Sequence, residues 1–209
     1  MGRKAKAFTL VELMVGLMVT SIILSAVATL AFAMSRGSAV GSDYARTQAQ
    51  IRRATVYLSD LLARCSLICA APDNDLVLWR NDDNADGRIN VRELVYLERG
   101  ASCGSLRLCA FPSADPAATR TLVDLASSSA KSELASLYEP SYTPLIPACS
   151  EAQFLFLDAA PPATESLAIA FQFQEDGVVR PYEIVASLRG RAAHLLNATG
   201  AELVSTDDD

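Results

Sequence analysis

The sequence is poor in the groups that enzymes most often use. Its only histidine, His194, lies near the C-terminal tail beside Arg191, as is typical of a surface or packing residue. There is no Gly-rich phosphate loop and no Gly-x-Ser-x-Gly nucleophile turn. No pair of acidic residues stands out as a glycosidase pair. These absences favour a protein that is not an enzyme.

Positive charge is also scarce. The chain has 18 Lys and Arg against 24 Asp and Glu, a formal net charge of -6 at pH 7. Nucleic-acid binding needs clustered Lys and Arg, so we expect no nucleic-acid partner. An acidic chain of this kind is better suited to binding a cation.

The cysteines do not form a metal-binding pattern. There are five: Cys65, Cys69, Cys103, Cys109 and Cys149. The Cys-x-x-x-Cys at 65–69 lacks the second pair of ligands that a zinc site needs. In an oxidising compartment disulfides are permitted, and an odd count leaves one cysteine over. Cys103 and Cys109 can bridge locally, Cys65 and Cys69 can face a common partner, and the connectivity stays open.

Proline, lysine and arginine are all absent between Phe8 and Met34, where Glu12 is the only charged residue. At about 1.5 Å per helical residue, this apolar run is long enough to cross a bilayer core of roughly 30 Å. A carboxylate inside such a span is costly and usually functional. Glu12 therefore needs a partner: either a cation on a neighbouring copy, or an amine freed by cutting the chain before Phe8.

Two ordinary targeting signals are alternatives. A secretory signal peptide also has a basic start and an apolar run, and Ala-Phe-Ala at 31–33 has the form of its cleavage site. An uncleaved signal anchor is the other alternative, and neither has a use for Glu12. In every case Arg3, Lys4 and Lys6 are expected to stay cytoplasmic.

The residues from Lys6 to Leu13, with Phe-Thr-Leu at 8–10 and Glu12, resemble the N-terminus of type IV pilins and pseudopilins. The resemblance implies that prepilin peptidase cuts between Ala7 and Phe8 and methylates Phe8. It implies that Glu12 neutralises the N-terminus of a neighbouring subunit during assembly. The chain departs from the family in two ways: Ala7 replaces the usual Gly, and the helix lacks the proline that many pilins carry.

The resemblance also implies a layout: leader 1–7, membrane and assembly helix 8–34, amphipathic spine helix 35–70, and α+β head 71–209. The head is expected in the periplasm, with the helix in the inner membrane and other pilins as partners. The long amphipathic helix followed by a Trp-bearing hairpin looks most like a W-type minor pilin or a J-type pseudopilin. Such proteins build a type IV pilus or a type II secretion filament.

The periodicity of the head region independently predicts a helix packed on an antiparallel sheet. After a weak spot for helix at 35–41, apolar residues recur at helical spacing: Ile51, Ala54, Leu58, Leu61, Leu62, Cys65 and Ile68. A hairpin is predicted over 76–99, with strands at 106–111, 153–157, 166–174 and 178–188 and an edge or bulge at Pro181. A short helix is predicted over 121–137, and an irregular loop around Pro140, Pro144 and Pro147.

The segment 82–93 matches the twelve-residue calcium loop at each key position. Gly87 provides the sharp turn and Ile89 the apolar position. The predicted ligands are Asp82, Asn84, Asp86, the carbonyl of Arg88, Asn90 through a water, and Glu93 bidentately. A polar turn is the alternative, but a turn needs neither Ile89 nor Glu93 in register. The flanks of the loop are strand-like, which favours a calcium ion with a structural role. The alternative function for the whole chain is a calcium-stabilised binding protein, either anchored in the membrane or released by signal peptidase.

Overall fold

The structure is a computed structural model that describes residues 9–73, 75–100, 104–146, 148–175, 178–189, 194–197 and 202–204. The side chains of residues 36–43 and 175 are not described. The chain divides into two compact units, Met1–Thr47 and Gln48–Asp209, which are treated separately below.

The first unit is built on helix α1, which runs from Leu10 to Arg64. Its segment Leu10–Ser35 is long and apolar enough to cross a membrane. Its side chains are exposed, and soluble proteins rarely expose so long an apolar surface. The backbone stays helical through 35–41, so the predicted weak spot does not interrupt the helix.

The second unit contains the last part of α1, from Gln48. Every apolar position of the predicted helical face up to Cys65 is buried, which confirms the amphipathic reading. The helix ends at Arg64, however, and Leu67–Ala70 forms strand β1, so the predicted extension to residue 70 is wrong. All four residues of β1 are buried, and a short apolar run of this kind looks the same in a strand and a buried helix.

In the described part of the chain, nine further strands, two short α-helices and a 3-10 helix at Val91–Glu93 follow β1. In chain order the strands and α-helices are β2 (Asp75–Trp79), β3 (Ile89–Asn90), β4 (Leu94–Arg99), β5 (Leu106–Ala110), β6 (Thr119–Arg120), α2 (Leu122–Leu125), α3 (Ala130–Leu137), β7 (Ser141–Ile146), β8 (Ser150–Phe156), β9 (Ser166–Glu175) and β10 (Val178–Ser187). The strands form a five-stranded sheet in the order β1-β2-β4-β5-β7, a three-stranded sheet β10-β9-β8 and a ribbon β3-β6. All pairs are antiparallel, so the predicted α+β class is confirmed.

The predicted hairpins are present. Strands β2 and β4 pair with Leu76 opposite Leu97. Strands β9 and β10 pair along their full length, and the predicted inward face of β9, from Leu167 to Phe173, is buried. Pro181 lies on β10, an edge strand, where the missing N–H of proline is tolerated. The turn at 176–177 lies outside the described residues.

Two predictions between 121 and 147 are wrong in detail. The predicted helix is split into α2 and α3, because the backbone N–H of Ser129 donates to Ser127 Oγ at 3.3 Å, a bond that offers the backbone an alternative to helix. The predicted proline loop contains strand β7, in which Pro144 pairs with Arg107. β7 is the last strand of its sheet, and an edge is where a strand accommodates proline.

One apolar core joins the helix and both larger sheets. It includes Leu58 of α1, Leu97 of β4 and Ile169 of β9. Cys65, Cys69 and Cys109 are buried in it as free thiols, so the local bridge to Cys109 is not formed; Cys103 lies outside the described residues. Burial raises the pKa of Cys65 to about 12 and that of Cys109 to about 11, which makes both thiols unreactive.

Candidate functional site

The first candidate site is the start of α1. Ala7 and Phe8, the predicted cleavage and methylation positions, lie outside the described residues. Thr9 immediately precedes the helix, and its backbone N–H and hydroxyl donate to Glu12 Oε2 at 3.0 and 2.9 Å. The backbone N–H of Glu12 donates in return to Thr9 Oγ1 at 3.2 Å.

These reciprocal bonds form a capping box, in which the side chains of the first and fourth residues satisfy each other's backbone donors. Thr9 thereby fixes the orientation of the only charged side chain in the Leu10–Ser35 span. The Thr-x-x-Glu spacing at residues 9–12 is a capping signal that can be recognised in the sequence, independently of the prepilin resemblance.

Four other polar side chains of this span are satisfied within the helix. Four hydroxyls donate to backbone carbonyls three or four residues earlier, those of Thr20, Ser21, Ser25 and Thr29. Such bonds remove the cost of placing a hydroxyl in hydrocarbon. Glu12 is therefore the residue of the span whose chemistry calls for an external partner.

The second candidate site is the acidic loop, Asp82–Glu93, which connects β2 to β4 and contains β3. Its backbone takes the tight path that the sequence predicts, because Ala85 and Gly87 have left-handed φ angles of 57° and 69°. Asp82 Oδ2 accepts the N–H of Gly87 at 2.8 Å, and Asp82 Oδ1 accepts the N–H of Asp86 at 3.2 Å. The first predicted ligand thus closes the coil around the turn.

The side chain of Asn90 contacts the oxygens of two other predicted ligands, Asn84 and Asp86. Its amide nitrogen Nδ2 donates to Asn84 Oδ1 at 3.3 Å and to both Asp86 carboxylate oxygens, at 3.3 and 3.2 Å. Asn90 is only 2% exposed. Its Oδ1 is buried and faces the backbone N–H of Glu93 in the capping box of the 3-10 helix Val91–Glu93, but it makes no hydrogen bond among the described residues. A buried acceptor left in this way calls for a donor or a cation.

The carboxylate of Asp86 is held in its charged form. The backbone N–H of Arg88 donates to Asp86 Oδ1 at 2.8 Å. This bond, followed by the one from Asn90, lowers the pKa of Asp86 below its usual range. Arg88 contacts the loop through this N–H; its predicted role as a carbonyl ligand stays a prediction.

Glu93, the predicted closing ligand, is buried and 2% exposed. Its Oε2 accepts the indole Nε1–H of Trp79 at 2.8 Å and the backbone N–H of Asn90 at 3.3 Å. Its Oε1 accepts the backbone N–H of Asp83 at 2.9 Å. The contact with Trp79 joins residues far apart along the chain, and no sequence pattern signals it.

The structure thus connects Asp82, Asn84, Asp86 and Asn90 through hydrogen bonds, while Glu93 is bonded to Trp79 and the loop backbone. Within the described part of the chain, no group of three or more His, Cys, Asp or Glu side chains is arranged to hold a metal. The fit to a hard cation instead depends on amide and carboxylate oxygens together, on Asn84, Asp86 and Asn90.

Comparison with known families identifies the N-terminal segment. A family model described as the prokaryotic N-terminal methylation motif matches residues 2–28. This match confirms the prepilin resemblance, and the layout of a long N-terminal helix followed by an antiparallel head is pilin-like. No curated protein and no solved structure matches the chain significantly.

Proposed function

We propose that this protein is a minor pilin or pseudopilin, a non-enzymatic structural subunit of a type IV pilus or a type II secretion filament. The observation that carries the proposal is Glu12, a single charge in an apolar span, oriented by Thr9 within a matched methylation motif. Prepilin peptidase cuts between Ala7 and Phe8, and the methylated Phe8 amine of a neighbouring subunit is the partner of Glu12. The span is held in the inner membrane, with the head in the periplasm, until assembly.

Substitutions of Glu12 test this role and separate its charge from its cap. Glu12→Gln keeps an acceptor for the N–H of Thr9 but removes the charge, whereas Glu12→Val removes both. We expect both variants to be processed but largely lost from sheared filaments, as measured by immunoblotting of filament and membrane fractions. Thr9→Ala, which keeps the charge and weakens the cap, is the matched control. Normal incorporation of both Glu12 variants into filaments would contradict the proposed mechanism and favour a plain membrane anchor.

We further propose that the acidic loop binds a structural calcium ion. The buried, unpartnered Oδ1 of Asn90 supports this, as does the position of its amide nitrogen among three oxygens. A cation at that place takes over the interaction with these oxygens. Rotation of the Asn90 amide then presents Oδ1 as a further oxygen donor, in line with the preference of calcium for several hard oxygens.

Calcium is expected to raise the melting temperature of the full-length protein in detergent. With a Kd of about 1 mM, typical of weak extracellular sites, 10 mM calcium stabilises the fold by about 1.4 kcal/mol. For a domain of this size that corresponds to a rise of about 4 °C by circular dichroism. Glu93→Gln should abolish the rise, whereas Glu98→Gln, the same change at a buried glutamate outside the loop, should keep it. A normal response in Glu93→Gln would contradict the assignment.

A further inference from the structure

Glu93 has little capacity left to bind a cation. An ionised carboxylate offers about four lone-pair positions, two on each oxygen. The Trp79 indole and the Asn90 backbone N–H occupy both positions on Oε2, and the Asp83 N–H occupies one on Oε1. A single position on Oε1 remains. Bidentate closure of the loop therefore requires that Oε2 release either Trp79 or Asn90, and the Asn90 bond is part of the capping box of the short 3-10 helix Val91–Glu93.

Trp79 is held too firmly to release Oε2 readily. It ends β2, is 3% exposed and lies opposite Leu94 in the sheet register. Backbone bonds fix the chain on both sides: Ser66 N–H donates to the Trp79 carbonyl at 2.9 Å, and Arg80 N–H donates to the Glu93 carbonyl at 3.0 Å. The indole position is thus set by the five-stranded sheet and not by the loop.

We propose that Trp79 is a positioning residue that holds Glu93 as a one-oxygen ligand of the loop cation and so reduces the preference of the loop for calcium over magnesium. This inference depends on the cation-binding role proposed above. Calcium accepts six to eight oxygens, including bidentate carboxylates, whereas magnesium requires six in octahedral geometry. Bidentate binding by the closing carboxylate is a contact that suits calcium and not magnesium. If Glu93 offers only one oxygen, the loop lacks this contact and distinguishes less between the two ions.

Trp79→Phe tests the proposal because it removes the indole N–H and keeps an aromatic ring in the core. We expect the ratio of the magnesium Kd to the calcium Kd to rise by about fivefold, the factor that corresponds to one typical hydrogen bond that calcium no longer has to break. The two constants are measured by isothermal titration of each ion into full-length protein in detergent. Tyr96→Phe, which alters another buried aromatic without a described contact to Glu93, should leave the ratio unchanged.

A measurement on the unmodified protein guards against a folding defect in the variant. Trp79 is the only tryptophan, so its indole N–H gives one resonance in a nitrogen-labelled sample. We expect its protection from hydrogen exchange to be the same with and without saturating calcium. The role of Trp79 is overturned if the ratio is unchanged in Trp79→Phe, or if the indole loses its protection on calcium binding. Either result leaves the cation-binding proposal intact. If the unmodified protein binds neither ion, the cation-binding proposal fails and this inference fails with it.

Discussion

At the scale of single residues, Asp158 shows how the head fixes its connections. It lies between β8 and β9, where Oδ1 accepts the Thr164 hydroxyl at 2.6 Å and Oδ2 accepts the Glu165 N–H at 2.8 Å. Slight desolvation acts to raise the pKa of Asp158, but these hydrogen bonds outweigh it and lower the pKa to about 2. The charged carboxylate therefore holds this turn together.

Asp158→Asn should destabilise the protein at neutral pH more than at acidic pH. The folded pKa lies below the unfolded value of about 3.9, so the stabilisation is present above pH 4 and is lost as the pH falls towards 2. After allowance for solvent screening, we expect a cost of about 1 kcal/mol at pH 7 that largely disappears at pH 2. Urea unfolding at both pH values measures it, with Asp115→Asn as the surface control. An equal cost at the two pH values contradicts the prediction.

Some contacts of single residues could be predicted from the sequence and others could not. The predicted loop ligands could be selected from the sequence because they recur at fixed, local spacing, and the structure places Gly87 in the left-handed turn that this spacing requires. The contact between Trp79 and Glu93 was not recognisable, because it depends on the register of two strands and not on a local pattern. The same limit applies to the sharing of the Asn90 amide among Asn84 and Asp86.

At the scale of elements, a half-buried charge cluster around the buried Glu98 joins β2, β4, β5 and α3. Glu98, 1% exposed, accepts from Arg107 Nε at 2.6 Å, and Lys131 Nζ lies 3.2 Å from the other oxygen of the same carboxylate. Lys131 also forms an ion pair with Asp75. Desolvation acts to lower the pKa of Lys131, but its contacts with the two carboxylates outweigh this and raise it. The cluster thereby fastens α3 to the five-stranded sheet.

Lys131→Met should leave Asp75 without its cation and Glu98 with Arg107 alone. Breaking a fully buried pair costs about 3–5 kcal/mol, and we expect about 2 kcal/mol here because Lys131 reaches solvent and Arg107 still pairs with Glu98. Chemical denaturation of the full-length protein in detergent measures the loss. Combining the change with Glu98→Gln should cost less than the sum of the single changes, since the ion pair between Lys131 and Glu98 can be lost only once. Strict additivity would show that Lys131 and Glu98 do not interact.

Elements with one buried face could be predicted from the sequence, and elements without such a pattern could not. The α1 face and β9 were predictable because burial imposes periods of 3.6 and 2 on the chain. The end of α1 was not, because β1 is buried on both faces and its apolar run continues the helical spacing. β7 was missed because three nearby prolines favour a loop, and only the edge position in the sheet permits a strand there.

At the scale of the whole molecule, the chain carries an apolar helix segment able to span a membrane and an α+β head with its own core. The methylation motif matches the start of this helix, and the lone acidic residue of the span lies within the matched residues. These observations support a substrate of prepilin peptidase. Under the proposed function, the chain is held in the membrane, processed as a prepilin and then packed through its apolar segment.

The most direct test is intact mass and N-terminal sequencing of the protein purified from its native membranes. The account predicts a chain that begins at Phe8 and carries one added methyl group. A chain that begins at Met34, as after cleavage by signal peptidase, or one that still carries residues 1–7 would contradict it.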